Sequence, residues 1–226
     1  MFLEEEIKPD KRPVMAVFAP GREFLLKYFD REFDMRVTTN PAEAEKSSVA
    51  VAVLAYDESA LPDLEDFIDK CKANGIRIIQ LRVPQIIGTG MNGDLMRLAR
   101  GVARGTMFKI KENEAKWAVI HATDIARAAC MVSQNTDSDM EFFLSGVAVP
   151  VSELLDALGF RIKNKRVGTL SPRWAKILYG RDLFKLLTTD RLAAKECSVF
   201  DEAYPDFHFL NPAEYLTTHV YDNESL

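Results

Sequence analysis

Residues 77–101 read RIIQLRVPQIIGTGMNGDLMRLARG. A run of β-branched residues is followed by Gly88-Thr-Gly90-Met-Asn-Gly93 and then by apolar positions at helical spacing. The run predicts a buried strand and the later segment an amphipathic helix, so the glycines fall where an α/β sheet turns from strand to helix. Their spacing also fits G-x-G-x-x-G, in which glycines allow a tight turn and bring pyrophosphate close to backbone N–H groups at a helix N-terminus. Spacing alone does not separate a cofactor turn from another loop; the neighbouring strands have to decide.

Working outward, the alternation continues. VMAVFAP (14–20) predicts a short buried strand and REFLLKYFDREF a helix, MRVTT (35–39) a second strand, and Asn40-Pro41 a helix start. VAVAVLAY (49–56) is a fully buried strand, Pro62 opens the helix DLEDFIDKCKANG with Asn74-Gly75 as its stop, and IRIIQLRV (76–83) is the next strand. Short apolar strands separated by helices predict an α/β fold: a Rossmann-like parallel sheet flanked by helices, with right-handed crossovers. Residues 1–90 form the Rossmann-like portion. Beyond Gly93 the pattern loosens into the helix DLMRLARGVARG, a short strand around MFKIK, the strand-to-helix passage WAVIHATDIARAACMVSQ, the strand FFLSG and the helix VSELLDALG. Residues 91–226 therefore read as a smaller C-terminal α+β lobe whose strands and helices return to the sheet, one compact unit with it.

Composition narrows the function classes. Of 226 residues, 47% are hydrophobic, enough for a sizeable core. A formal net charge of -5 with scattered basic residues speaks against a nucleic-acid surface. The nearest basic cluster, Arg161, Lys163, Lys165 and Arg166, reads as a solvated turn. Three widely spaced cysteines and three separated histidines predict neither a disulfide framework nor a metal site. The longest strongly apolar run, residues 49–55, is too short to span a bilayer, and the acidic start lacks a secretory n-region. The expectation is a cytoplasmic protein with neither nucleic acid nor membrane as partner.

The segment Leu81-Arg-Val-Pro-Gln-Ile-Ile-Gly-Thr-Gly90 resembles the L-R-x-P-x-(I/V)-(Y/F)-G-P-G signature of extended short-chain dehydrogenases/reductases, the NAD-dependent epimerase/dehydratase family. Trp117-Ala-Val-Ile-His-Ala-Thr-Asp124-Ile-Ala-Arg-Ala is similar to that family's (F/W)-x-x-(I/V)-H-V-x-D-(L/V)-A-x-A passage, and Phe142-Phe-Leu-Ser-Gly with Pro150-Val-Ser-Glu-Leu-Leu to a later strand and helix. The tail from Leu187 through Asp190, Phe200 and Asp201 to Pro212 is similar to its closing region. The resemblance covers residue 76 to the C-terminus, and the first 75 residues only in outline. It implies that Gly88 and Gly90 lie on the substrate side of the cleft, where Gln85 and Asn92 join them as candidate contacts to a nucleotide-sugar. Asn92 is also placed to cap the next helix.

The family's dinucleotide turn follows the first strand, and there the chain departs from it. Phe18-Ala-Pro-Gly21-Arg-Glu-Phe24 keeps only the middle glycine of T-G-x-x-G-x-x-G, with rings where phosphate or close packing is required. Gly21 and Arg22 are the remaining candidates for cofactor contact. At the end of the second strand, Asn40 offers either a ribose hydrogen bond or a helix cap. The family's Tyr-x-x-x-Lys pair puts both side chains on one helix face, so that Lys lowers the Tyr pKa for proton exchange during hydride transfer. None of the six tyrosines has Lys four residues on, and one βα repeat is missing between residues 56 and 76. Ser59, the nearest hydroxyl after that strand, lacks the pair. Arg82 and Asp124 read as a structural ion pair or caps, and His121 as a core histidine. Met91, Met96 and Met107, with Trp117 and Trp174, read as core in preference to a pocket or partner surface.

The reading is a shortened, catalytically degenerate family member, a pseudoenzyme without catalytic residues or expected cofactor, which binds a nucleotide-sugar or a protein partner. The partner reading includes a homodimer or a heterodimer with an active relative. The alternative is an active NAD(P)-dependent nucleotide-sugar epimerase, dehydratase or reductase with a non-standard acid/base.

Overall fold

The computed structural model describes residues 12–44, 49–56, 58, 62–135 and 138–218. Ser59 and His219 lie outside the described residues. The main sheet contains β1 (Val14–Phe18), β2 (Arg36–Thr38), β3 (Val49–Ala55), β4 (Arg77–Val83) and, from the later half, β8 (Met140–Phe143). Its order is β2-β1-β3-β4-β8, and every pair is parallel. The α/β, Rossmann-like fold expected from the alternation is the fold observed.

The two-residue period of a strand sends alternate side chains to opposite faces. Val49, Val51 and Val53 of β3 face a core shared with α1 (Leu26–Phe33) and α4 (Ala122–Asn135), while Ala50, Ala52 and Leu54 face α2 (Pro62–Ala73). Burial on both faces explains the unbroken apolar run of the sequence. Small alanines on the second face bring Phe67, Leu64 and Cys71 of α2 close to the sheet.

Between β4 and β8, and again after β8, the chain leaves the sheet and builds a second layer. β5 (Gln85–Ile87) pairs parallel to β7 (Lys116–His121), which pairs antiparallel to β9 (Val147–Pro150). The short strands β6 (Lys109–Ile110) and β10 (Thr169–Leu170) pair with each other. α3 (Gly93–Arg104), α5 (Val151–Lys163), α6 (Pro172–Thr188) and α8 (Pro212–Thr218) surround a core centred on the fully buried Trp117. The Arg191 guanidinium lies 5.0 Å over that ring and is held by Asp94 at 2.7 Å. Thus Trp117 is core, as read, whereas Trp174 on α6 is 66% exposed.

Two local expectations change. Asn40-Pro41 opens only a single 3-10 turn, Pro41–Glu43, although Asn40 does cap it by accepting the Ala42 N–H at 3.2 Å. Arg82 and Asp124 do not pair with each other: Arg82 binds Glu141 at 2.9 Å, and Asp124 binds Arg127 at 2.8 Å. They sit on different layers, and each takes the opposite charge nearest its own element. α6 is also broken at Gly180.

Candidate functional site

In open α/β sheets ligands bind beyond the carboxyl ends of the strands. Here those ends carry a connected chain of charge. Arg22, after β1, reaches Glu58 at 2.9 Å; the second Glu58 oxygen accepts the Ala55 N–H at 2.7 Å, at the end of β3. Arg82 of β4 donates to the Glu58 carbonyl and, through Nε, to Glu141 of β8. Burial pushes the Glu58 carboxyl up, but hydrogen bonds from Arg22 and Ala55 with the charges of Arg22 and Arg82 outweigh it, so it ends below its ordinary value. A carboxylate lowered in the fold adds stability above its ordinary pKa, which is lost as pH falls through the folded value. Glu58→Gln therefore flattens the acid limb of a urea-stability profile measured from about pH 6 to about pH 3. An unchanged slope would exclude Glu58 as a source of that limb.

The turn after β1 is the place for a dinucleotide pyrophosphate, which needs open backbone donors at the start of α1. The Gly21 N–H donates instead to the Glu23 carboxylate at 3.0 Å, and the Arg22 N–H to the Ala19 carbonyl at 2.8 Å. The chain thus supplies its own anion as acceptor for the Gly21 N–H. Arg22, the remaining cation, is already engaged with Glu58. Gly21 and Arg22 as they stand do not fit a pyrophosphate.

The loop of residues 88–92 docks directly on this turn. Asn92 Nδ2 donates to the Gly21 carbonyl, and the Thr89 N–H donates to the Tyr28 hydroxyl at 3.0 Å. Gly90 has φ +90°, and a Cβ there would stand 2.8 Å from Phe24 Cβ; a Cβ on Gly88 would meet Tyr28 and Ala122. Gly88, Gly90 and Asn92 are therefore brought together with Gly21, as parts of one closed seam. Asn92 sits at the N-terminal cap position of α3, yet its side chain makes no cap and crosses to Gly21. Gln85 stands apart, half-buried at the start of β5 opposite Val119. His121 is buried at the end of β7; its Nδ1 accepts the Thr123 N–H at 3.1 Å, and its ring lies 3.9 Å from that of Tyr215.

Proton chemistry of the Tyr-Lys kind needs a phenol with a lowered pKa. Tyr56, at the end of β3, donates to the Leu144 carbonyl and lies 3.6 Å from Cys197 Sγ. Burial, with Cys197 adding to it, pushes the phenol far above its ordinary value. Burial likewise raises the Cys197 thiol, which keeps it from acting as a nucleophile. Tyr56 is a structural hydrogen-bond donor.

Met91, Met96 and Met107, read from the sequence as core in preference to a pocket, do pack in the second core, yet they also line a groove beside this seam. A recess of about 530 Å³ runs along α3, floored by Met91, Met96, Met107 and Leu183 and flanked by Arg97, Arg100 and Arg104. Arginines at i, i+3 and i+7 share one helix face, and that spacing was visible in the sequence. None of the three forms an ion pair with a described residue, since the nearest acid on the helix, Asp94, is taken by Arg191.

No family model matches the sequence, and no curated relative does either. The fold does have solved neighbours. A GDP-L-fucose synthetase from Naegleria fowleri bound to NADP aligns over 93% of this chain and 94% of its own, at 7% identity and TM-score 0.57. A second structure of a GDP-L-fucose synthetase from that organism aligns over 93% and 95%, at 8% identity and TM-score 0.52. The UDP-N-acetylglucosamine 4-epimerase from Bacillus cereus aligns over 87% and 99%, at 14% identity and TM-score 0.49. At these identities the likeness is one of fold: the chain has the Rossmann-like architecture of the two synthetase structures.

Proposed function

We propose that this chain is a shortened, catalytically degenerate relative of the NAD-dependent epimerases and dehydratases, which binds a nucleotide-sugar without converting it. One asymmetry carries the reading. The anion-binding groups of the β1 turn are taken by the chain's own Glu23 and Glu58, whereas Arg97, Arg100 and Arg104 face an open groove. Guanidinium groups recognise diphosphate oxygens by paired hydrogen bonds, and a methionine floor adapts to a base or sugar face. Asn92, which lines the same groove, ends the loop of Gly88 and Gly90 and donates to the Gly21 carbonyl. Gln85 lies on the strand that leads into that loop.

Thermal unfolding in the presence of NAD(H), NADP(H), UDP-sugars and GDP-sugars tests the proposal. Saturation at about 100 times Kd stabilises a protein by about 2.7 kcal/mol, or several degrees. The expected result is a shift of that size with a nucleotide-sugar, lost in Arg97→Ser/Arg100→Ser, and none with either dinucleotide. Micromolar dinucleotide binding overturns the degenerate reading in favour of an active NAD(P)-dependent enzyme; silence towards every nucleotide-sugar overturns the ligand.

A further inference from the structure

α6 begins with eight residues, 172–179, before its break at Gly180. At about 100° per residue, the buried Ala175 and the half-buried Tyr179 mark its inward side. Ile177 falls opposite them, with Trp174 and Leu178 to one side and Arg173 and Lys176 to the other. Exposure follows this geometry: Ile177 is 72% exposed, Trp174 66% and Leu178 54%. Three large apolar side chains at i, i+3 and i+4 thus point into solvent beside two cations. They account for nearly half of the exposed large hydrophobic residues described.

Charge is segregated around this face. Residues 161–185 hold eight of the chain's 29 Lys and Arg residues and one of its 34 acids, although the whole chain carries -5. The cluster from Arg161 to Arg166 closes α5, and β10 then leads directly into α6. Lys163 Nζ reaches Gly105 at the end of α3, so the basic character extends towards that helix.

We propose that α6 is a docking face for an anionic lipid surface. A basic amphipathic helix with Trp on its apolar side lies in the plane of a bilayer interface, its apolar residues among the upper acyl chains and its cations at the headgroups. The indole suits that boundary, with an apolar body and a polar N–H. Trp174, Ile177 and Leu178 stand out from the surface, so a deformable medium buries all three together. Two copies of this chain meeting through the same face would bring Arg173 and Lys176 against their own counterparts, which disfavours self-association. The sequence-based expectation of no membrane partner rested on the lack of a spanning run. No helix among the described residues is long and apolar enough to cross a membrane, but lying on one needs no span.

Trp174 is its own reporter, because the other tryptophan, Trp117, is fully buried and gives a constant background. Vesicles of phosphatidylcholine, with and without about 30% phosphatidylserine, are titrated at low salt. The expected result is a blue shift of emission and co-sedimentation with the phosphatidylserine vesicles, weaker by about tenfold without that lipid and suppressed by salt. Ile177→Ser/Leu178→Ser abolishes binding while keeping the unfolding midpoint, and Arg173→Glu/Lys176→Glu removes the phosphatidylserine preference. Equal binding to both vesicles, no binding, or binding unaffected by Ile177→Ser/Leu178→Ser overturns the proposal. So does a concentration-dependent doubling of mass that Ile177→Ser abolishes, which would make the face a contact between copies. Vesicle binding is independent of what the α3 groove holds.

Discussion

Asp124→Ala lowers the unfolding free energy by about 3 kcal/mol, read as a fall in urea midpoint with unchanged slope. Asp124 is fully buried in the first turn of α4. One oxygen accepts from Arg127 and the other from the Leu210 N–H, both at 2.8 Å. Arg127 in turn lies 5.0 Å over the Phe207 ring and donates to the His208 carbonyl. This pair ties residues 207–210 to α4 and seats Phe207 and Phe209 against Phe200, which itself packs on Phe142 of β8. Removing the carboxylate leaves a buried N–H without an acceptor and frees the aromatic segment. Arg127 is about one-third exposed and rehydrates, which keeps the cost at the lower end for a broken buried pair.

Asp124→Asn retains an acceptor for Leu210 and costs less. Its deficit is also pH-dependent. Burial raises the Asp124 carboxyl above its ordinary value, and the Leu210 and Arg127 hydrogen bonds only partly reverse this. A raised acid adds stability that is complete below its ordinary pKa and is lost as pH rises through the folded value. The Asn variant carries no such proton, so its deficit relative to the parent shrinks from about pH 4 to about pH 7. A deficit that grows over this range would mean the Arg127 charge outweighs burial.

Gly146→Ala also costs about 3 kcal/mol, or roughly 10 °C in Tm. Gly146 joins β8 to β9 with φ +63°, where an L side chain is strained by about 1 kcal/mol. A Cβ there would stand 2.6 Å from the Val119 carbonyl oxygen and 3.1 Å from Pro84 Cγ. The first is backbone of β7 and cannot swing aside, so the start of β9 must move away from β7. Gly75→Ala is the control: it shares the positive φ but has open space around it, and its cost is about 1 kcal/mol. Equal losses for the two variants would show that backbone strain alone sets the penalty at Gly146.

Much of the fold was legible because the main-sheet strands carry their own signal. β3 is apolar at every position and β4 at four of its seven, and α2 and α3 end at Asn74-Gly75 and Gly105. β9 and β10 were not read, being two to four residues long and formed by pairing with distant partners. The turn at Pro41–Glu43 was read as a longer helix because capping chemistry marks a start and says nothing of length. The strand FFLSG belongs to the portion read as sending strands back to the sheet, and its place beside β4 was not legible, because which strand pairs with which is a long-range choice.

At the site, Phe18 and Phe24 in the sequence already signalled a departure from the family's dinucleotide turn. The self-supplied carboxylate of Glu23 and the bond from Asn92 to Gly21 did not show, since the latter joins residues 71 positions apart. Spacing of the arginines along α3 was readable, but that they pair with no acid among the described residues was not: Asp94 lies three residues before Arg97 and would be assigned to it, until Arg191 takes it from across the fold. Periodicity and local turn chemistry by themselves determined the α/β class and the strand-to-helix junctions of the main sheet, because those depend on neighbours in the chain. Tertiary structure alone decided that residues 88–92 close on Gly21, that the α3 arginines pair with no acid among the described residues and that Trp174 faces solvent, because charge pairing and exposure depend on what the fold brings alongside.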